Sequence, residues 1–257
     1  MQKHILMLNG LQLMAHLPLL HIDFPGNVSG LLGAVVNVVT FDIIPTDLFF
    51  PFFFGDHEGE SFNLQFQSTG YESAYLIENM GTLWLISHVF GLLFFMMGGM
   101  YYVRRISDRG QIWYSRLTRT LMWNPILLFL LEGYLELSVC SSAQIALRLC
   151  RSVSAEDKYS FCPNTQDEEF SEETLSYMSF NDFYGIIYFA FAAMFPFLLA
   201  IFYQKNLEKL DMKYFKKTYG AGYDGVKQTT RNFSKIFKPT VFLMRRLLFA
   251  ISVVFFQ

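Results

Sequence analysis

Between Gly81 and Val103 the chain carries no Asp, Glu, Lys or Arg. A helix needs about 20 such residues to cross roughly 30 Å of bilayer hydrocarbon. A similar run occupies Phe183 to Tyr203, a shorter one Ile5 to Leu20, and a third, Leu121 to Leu147, is interrupted only by Glu132 and Glu136. A last run, VFLMRRLLFAISVVFFQ, begins near Val241 and is interrupted only by Arg245 and Arg246. The composition agrees, with 53% apolar and only 16% charged residues, where soluble chains carry about 25% charge. A soluble domain must cover its surface with polar groups, and 29 phenylalanines are more easily hidden in lipid. The expected fold is therefore an all-α integral membrane protein, a single transmembrane domain over residues 1–257. About five transmembrane helices are expected near 5–20, 81–103, 121–147, 183–203 and 241–257. The final run reaches the last residue without a flanking charge, so the sequence reads as a fragment or a shortened form.

Charge sorts the connections. Link 104–120 holds Arg104, Arg105, Arg109, Arg116 and Arg119 against Asp108 alone. Link 204–240 holds Lys205, Lys209, Lys213, Lys216, Lys217, Lys227, Arg231, Lys235 and Lys238 against Glu208, Asp211 and Asp224. By contrast, 55–79 contains acids and no Lys or Arg, and 148–179 is acidic through Glu156, Asp157, Asp167, Glu168, Glu169, Glu172 and Glu173. Basic segments remain cytoplasmic because moving Lys and Arg across the membrane is disfavoured. The two basic links are thus expected inside and the two acidic loops outside. The signs alternate across the three intervening spans. Region 31–54, LLGAVVNVVTFDIIPTDLFFPFFF, is broken by Asp42, Pro45, Asp47 and Pro51. It is read as an outer re-entrant or interfacial segment, with the N-terminus cytoplasmic. A crossing would instead place Lys3 outside.

The residues able to carry chemistry are few. Glu132 and Glu136 fall well inside the third run, and a spacing of four places both carboxylates on one face of a continuous helix. Ionisable groups at membrane depth cost several kcal/mol and normally face a cavity, a partner or a pathway. The pair can line a cation or proton pathway, or it can form a polar knot with His88 or with Arg245 and Arg246. Pro196 is expected to kink the fourth span. Gly91, Gly98 and Gly99 form a small-residue face suited to close helix packing. Cys150 and Cys162 bracket a short outer loop and can form a disulfide, two free thiols being the other reading. Asn27 begins an Asn-Val-Ser glycosylation sequon in an outer link. No catalytic motif, zinc spacing or phosphate loop is present, so no enzyme activity, metal or cofactor is expected. The expected partners are the bilayer itself, anionic lipid headgroups at 204–240 and a further copy of the chain in a homo-oligomer; nucleic acid is not expected.

The segments KHILMLNGLQLMAHLPLLHIDFP, FDIIPTD, NPILLFLLEGYLEL, YGAGYDGVK and FLMRRLLFA follow one another in this sequence. In that order they resemble TRP-like polytopic membrane proteins of ciliate and other protist type. The resemblance covers most of the chain. It implies a C-terminal membrane region normally preceded by a long, cysteine-rich extracellular part and followed by further spans. It also implies a channel-like role and directs attention to Glu132, Glu136, Arg245 and Arg246. Three functions are consistent with these features. The first is a cation channel or sensor subunit, and the second a non-conducting membrane anchor or receptor region. The third is a proton-coupled transporter supported by the buried glutamates. The plasma membrane is the default location.

Overall fold

The computed structural model describes residues 10–20, 25–28, 31–32, 35, 50, 61–62, 66–67, 69–71, 73, 75–117, 123–152, 172–210, 212–220, 223 and 232–256. Among these residues every regular element is helical. After the N-terminal stretch come α1 (Leu76–Asn79), α2 (Gly81–Val103), α3 (Asp108–Leu117) and α4 (Trp123–Glu132). The order continues with α5 (Tyr134–Ser152), α6 (Glu172–Lys205), α7 (Lys213–Tyr219) and α8 (Asn232–Phe255). Most of the expected re-entrant segment 31–54 lies outside the described residues.

Among the described residues two helices are long and apolar enough to cross a membrane, Gly81–Val103 and Leu175–Lys205. The pair Pro125–Glu132 and Tyr134–Ser152 makes a third if counted as one span, but it is bent by 53°. This corrects the expectation of a continuous helix from Leu121 to Leu147. The break falls at Gly133, the residue type with the greatest backbone freedom and the poorest helix propensity after proline. The first expected span is likewise not one helix. Residues 10–15 are helical, His16 turns, and Leu17–Leu20 form a 3-10 turn. Pro18 explains the break, because its ring clashes with the carbonyl of the residue four earlier and it offers no N–H.

The centre of the molecule is a packing of α5, α6 and α8 against one another. Helix α5 is buried on all sides from Leu137 to Ala143. It tolerates this because Ser138, Cys140, Ser141, Ser142 and Ala143 are small, so neighbouring backbones can approach closely. Two of its buried hydroxyls are satisfied locally, Ser138 donating to the Tyr134 carbonyl at 2.7 Å and Ser141 to that of Leu137 at 2.6 Å, while the buried Ser142 hydroxyl makes no hydrogen bond among the described residues. Leu243, Leu247, Ala250, Val253 and Val254 form the buried stripe of α8 at three- and four-residue spacing. Helix α6 runs through Pro196 as one element and begins before the expected Phe183. By contrast α2 is peripheral, with only 11% of its apolar window buried. A Cβ built on Gly91, Gly98 or Gly99 meets nothing within 4 Å. The glycine face expected to pack therefore faces outward within this chain.

Candidate functional site

The bend at Gly133 brings together groups from four parts of the sequence. A helix break disturbs the hydrogen-bond ladder, and a carbonyl buried away from water then needs another donor. Arg246, on the inward stripe of α8, provides one: its guanidinium donates to the Leu131 carbonyl at 2.9 Å. A second N–H of the same group donates to Gln12 Oε1 at 3.0 Å. The cation also lies 4.5 Å from the centre of the Phe242 ring. Arg246 is only 3% exposed, whereas its neighbour Arg245 faces outward. One residue step turns a helix by about 100°, which is enough to give adjacent arginines opposite environments.

Gln12 passes the network onward. Its main-chain carbonyl accepts from His16 Nδ1 at 2.7 Å, so in the neutral imidazole Nε2 is left as an acceptor. Nε2 lies 2.7 Å from the Tyr71 hydroxyl. Burial pushes the Tyr71 phenol well above its ordinary pKa, with Cys140 and Glu136 adding to the effect, so it stays protonated and donates. The result is a continuous polar chain of Leu131, Arg246, Gln12, His16 and Tyr71.

The two expected glutamates lie on either side of the bend. Glu132 closes α4 and is within electrostatic reach of Arg246. Glu136 is in the first turn of α5, beside Tyr71 and Cys140. Both are half-buried. Because a bend separates them, the helical rule that placed both carboxylates on one face does not carry across. His88 is not joined to them. It is exposed on α2, with Nδ1 2.8 Å from the Trp84 carbonyl and Nε2 3.0 Å from the Tyr184 hydroxyl. The knot of glutamates with His88 is therefore corrected to a network around Arg246.

A second polar junction ties α1 to the core. Leu76 N–H donates to Gln144 Oε1 at 3.2 Å, and Ile77 N–H to Asn181 Oδ1 at 3.0 Å. Two orphan donors of the short helix are thereby satisfied from α5 and α6. Gln144 Nε2 and Arg151 both donate to Asp182 Oδ1, at 2.8 and 2.6 Å. Gly185 permits this approach, since a Cβ there would sit 2.6 Å from Gln144 Cγ. Cys150, near the same end, is disulfide-bonded, and Cys140 is a free, buried thiol. Cys162, the expected partner of Cys150, lies outside the described residues. Asn27 is exposed. Among the described residues no group of three His, Cys, Asp or Glu is placed to hold a metal ion.

Gln12, His16, Tyr71, Gln144, Asn181 and Asp182 were not singled out from the sequence. A signal existed for the first two: polar residues four apart in an apolar run share a helix face and need a partner. The chain matches no family model, none of the curated proteins and none of the solved structures.

Proposed function

We propose that this chain is the membrane region of a multi-pass TRP-like protein, a cation channel or sensor subunit whose moving part is the helix broken at Gly133. The observation that carries the reading is the 53° break, with Glu132 and Glu136 on its two sides and Arg246 clasping Leu131. Discontinuous helices at membrane depth are where transport proteins place ion sites, and an arginine buried there is costly unless it serves a purpose. In this reading α8 and the N-terminal segment complete about five crossings, and the plasma membrane is the setting. Arg246 latches the bent state, and the carboxylates face the path that opens when the latch releases.

The test is current recording from the reconstituted chain. Glu136→Gln and Glu132→Gln are expected to reduce cation conductance, and Arg246→Gln to raise open probability. A folded chain whose current is unchanged by all three substitutions would remove the pathway from this site. A second reading, a non-conducting receptor region, is favoured by the junction of Gln144, Asn181 and Asp182. That junction grips the segment entering α1 and can pass movement of an outer domain into the bundle. A folded chain that passes no current supports this reading over the first.

A further inference from the structure

We propose that the basic end of the bundle carries a binding site for the headgroup of an anionic phospholipid, separate from the Arg246 network. A cavity of about 640 Å³ opens there, lined among others by Arg104, Arg105, Tyr114, Trp123, Tyr214 and Tyr219. Both basic links contribute to it, since α3 and the end of α2 form one wall and α7 the other. The Arg104 guanidinium lies 4.0 Å from the Tyr101 ring centre and 4.9 Å from that of Tyr114. Arg105 lies 5.4 Å from the Tyr101 ring centre. Stacking uses the face of a guanidinium and leaves its in-plane N–H groups to bind oxygen, the geometry that suits a phosphate. Among the described residues both arginines contact aromatic rings and a phenol rather than carboxylates.

The rim argues for a lipid rather than a soluble phosphate compound. Ile106, Ile112 and Trp113 stand exposed on or beside α3, next to Arg104, Arg105 and Arg109. A short helix with apolar and basic side chains together lies in the headgroup layer, where its apolar residues enter the acyl boundary. An occupant arriving in the plane of the bilayer would keep its chains against those residues and present its phosphate to the two arginines. Juxtamembrane basic groups each gain on the order of 1 kcal/mol near an anionic surface, and a fixed pair converts that general attraction into a site.

The experiment uses the full chain in phosphatidylcholine nanodiscs and a fluorescent short-chain phosphatidic acid followed by polarisation. Saturable binding is expected, weakened at least about tenfold by Arg104→Gln with Arg105→Gln, since each removes a charge-assisted contact. Arg109→Gln, in the first turn of α3 but outside the cavity lining, should change it by less than about twofold. Ser115→Asp places an anion at the exposed rim without touching the core and should weaken binding comparably to the double variant; it decides the matter if the double variant fails to fold. Equal binding of labelled phosphatidylcholine would overturn the proposal. So would displacement by inorganic phosphate or ATP as effective as by unlabelled phosphatidic acid, an effect of Arg109→Gln equal to that of the arginine pair, or no effect of Ser115→Asp.

Discussion

Replacing Arg246 with alanine removes the group that joins α8, the bent helix and the N-terminal segment. Two hydrogen bonds from a charged donor are lost, to Leu131 O and Gln12 Oε1. Such bonds are worth about 1.5–3 kcal/mol each in soluble proteins, but polar contacts between membrane helices average about 0.6 and reach about 1.7. On the membrane scale the pair contributes about 1–3 kcal/mol. Loss of the packed stem adds to this, while relief of a desolvated charge subtracts. A net loss of about 2–3 kcal/mol is expected for Arg246→Ala. For a chain of this size each kcal/mol moves Tm by about 2–4 °C, so melting should fall by about 4–12 °C. Cys140 provides the assay without engineering, because it is free, buried and in the middle of α5. A thiol-reactive dye labels it when the core opens on heating. Arg246→Met keeps most of the volume and removes the buried charge, so it should melt between the parent and the alanine variant. If Cys140 in Arg246→Ala stays protected to the parent's temperature, the latch contributes nothing and the reasoning fails.

Gly185→Ala should destabilise by about 1–3 kcal/mol as an overpacking change, read as reduced folded yield, because its Cβ would press on Gln144 Cγ and Cβ at 2.6 and 2.9 Å. Gly133→Ala meets the end of a flexible side chain, Leu83 Cδ2 at 2.6 Å, so Leu83→Ala should recover part of its cost in a double-mutant cycle. Asn181→Leu leaves the Ile77 N–H without its acceptor and should cost about 1–3 kcal/mol, visible as faster hydrogen exchange in α1. In unfolded chain, alkylation before and after reductant should show Cys150 blocked until reduced, while Cys140 reacts without reductant.

The bounds of α2 were legible because an uninterrupted apolar run has one reading. Helix α6 was legible only over the part that hydropathy reports; Glu172 to Asp182 is polar, and the helix continues through it. Helix α5 was harder, since its Ser, Cys and Ala residues resemble a weakly apolar surface yet are buried on all sides. Their size, rather than their polarity, is what packing uses. The bend was hidden because one glycine inside a helical pattern is ordinarily tolerated. At the site, both arginines and both glutamates stood out from their apolar setting, but only the structure separates Arg246 from Arg245. Tyr71 had no local signal, since its partner is 55 residues away in sequence.

The contact between Gln12 and Arg246 spans 234 residues, which has a consequence for biosynthesis. During synthesis Gln12 waits for its partner until the 234 residues up to Arg246 have followed it. Helix α5 faces the same delay: Gln144 needs Asp182 of α6, and the small buried residues of α5 need α6 and α8 packed around them. Early helices such as α2 can be held by the bilayer alone. The arrival of α8 is therefore the step that closes the packing of α5, α6 and α8 against one another.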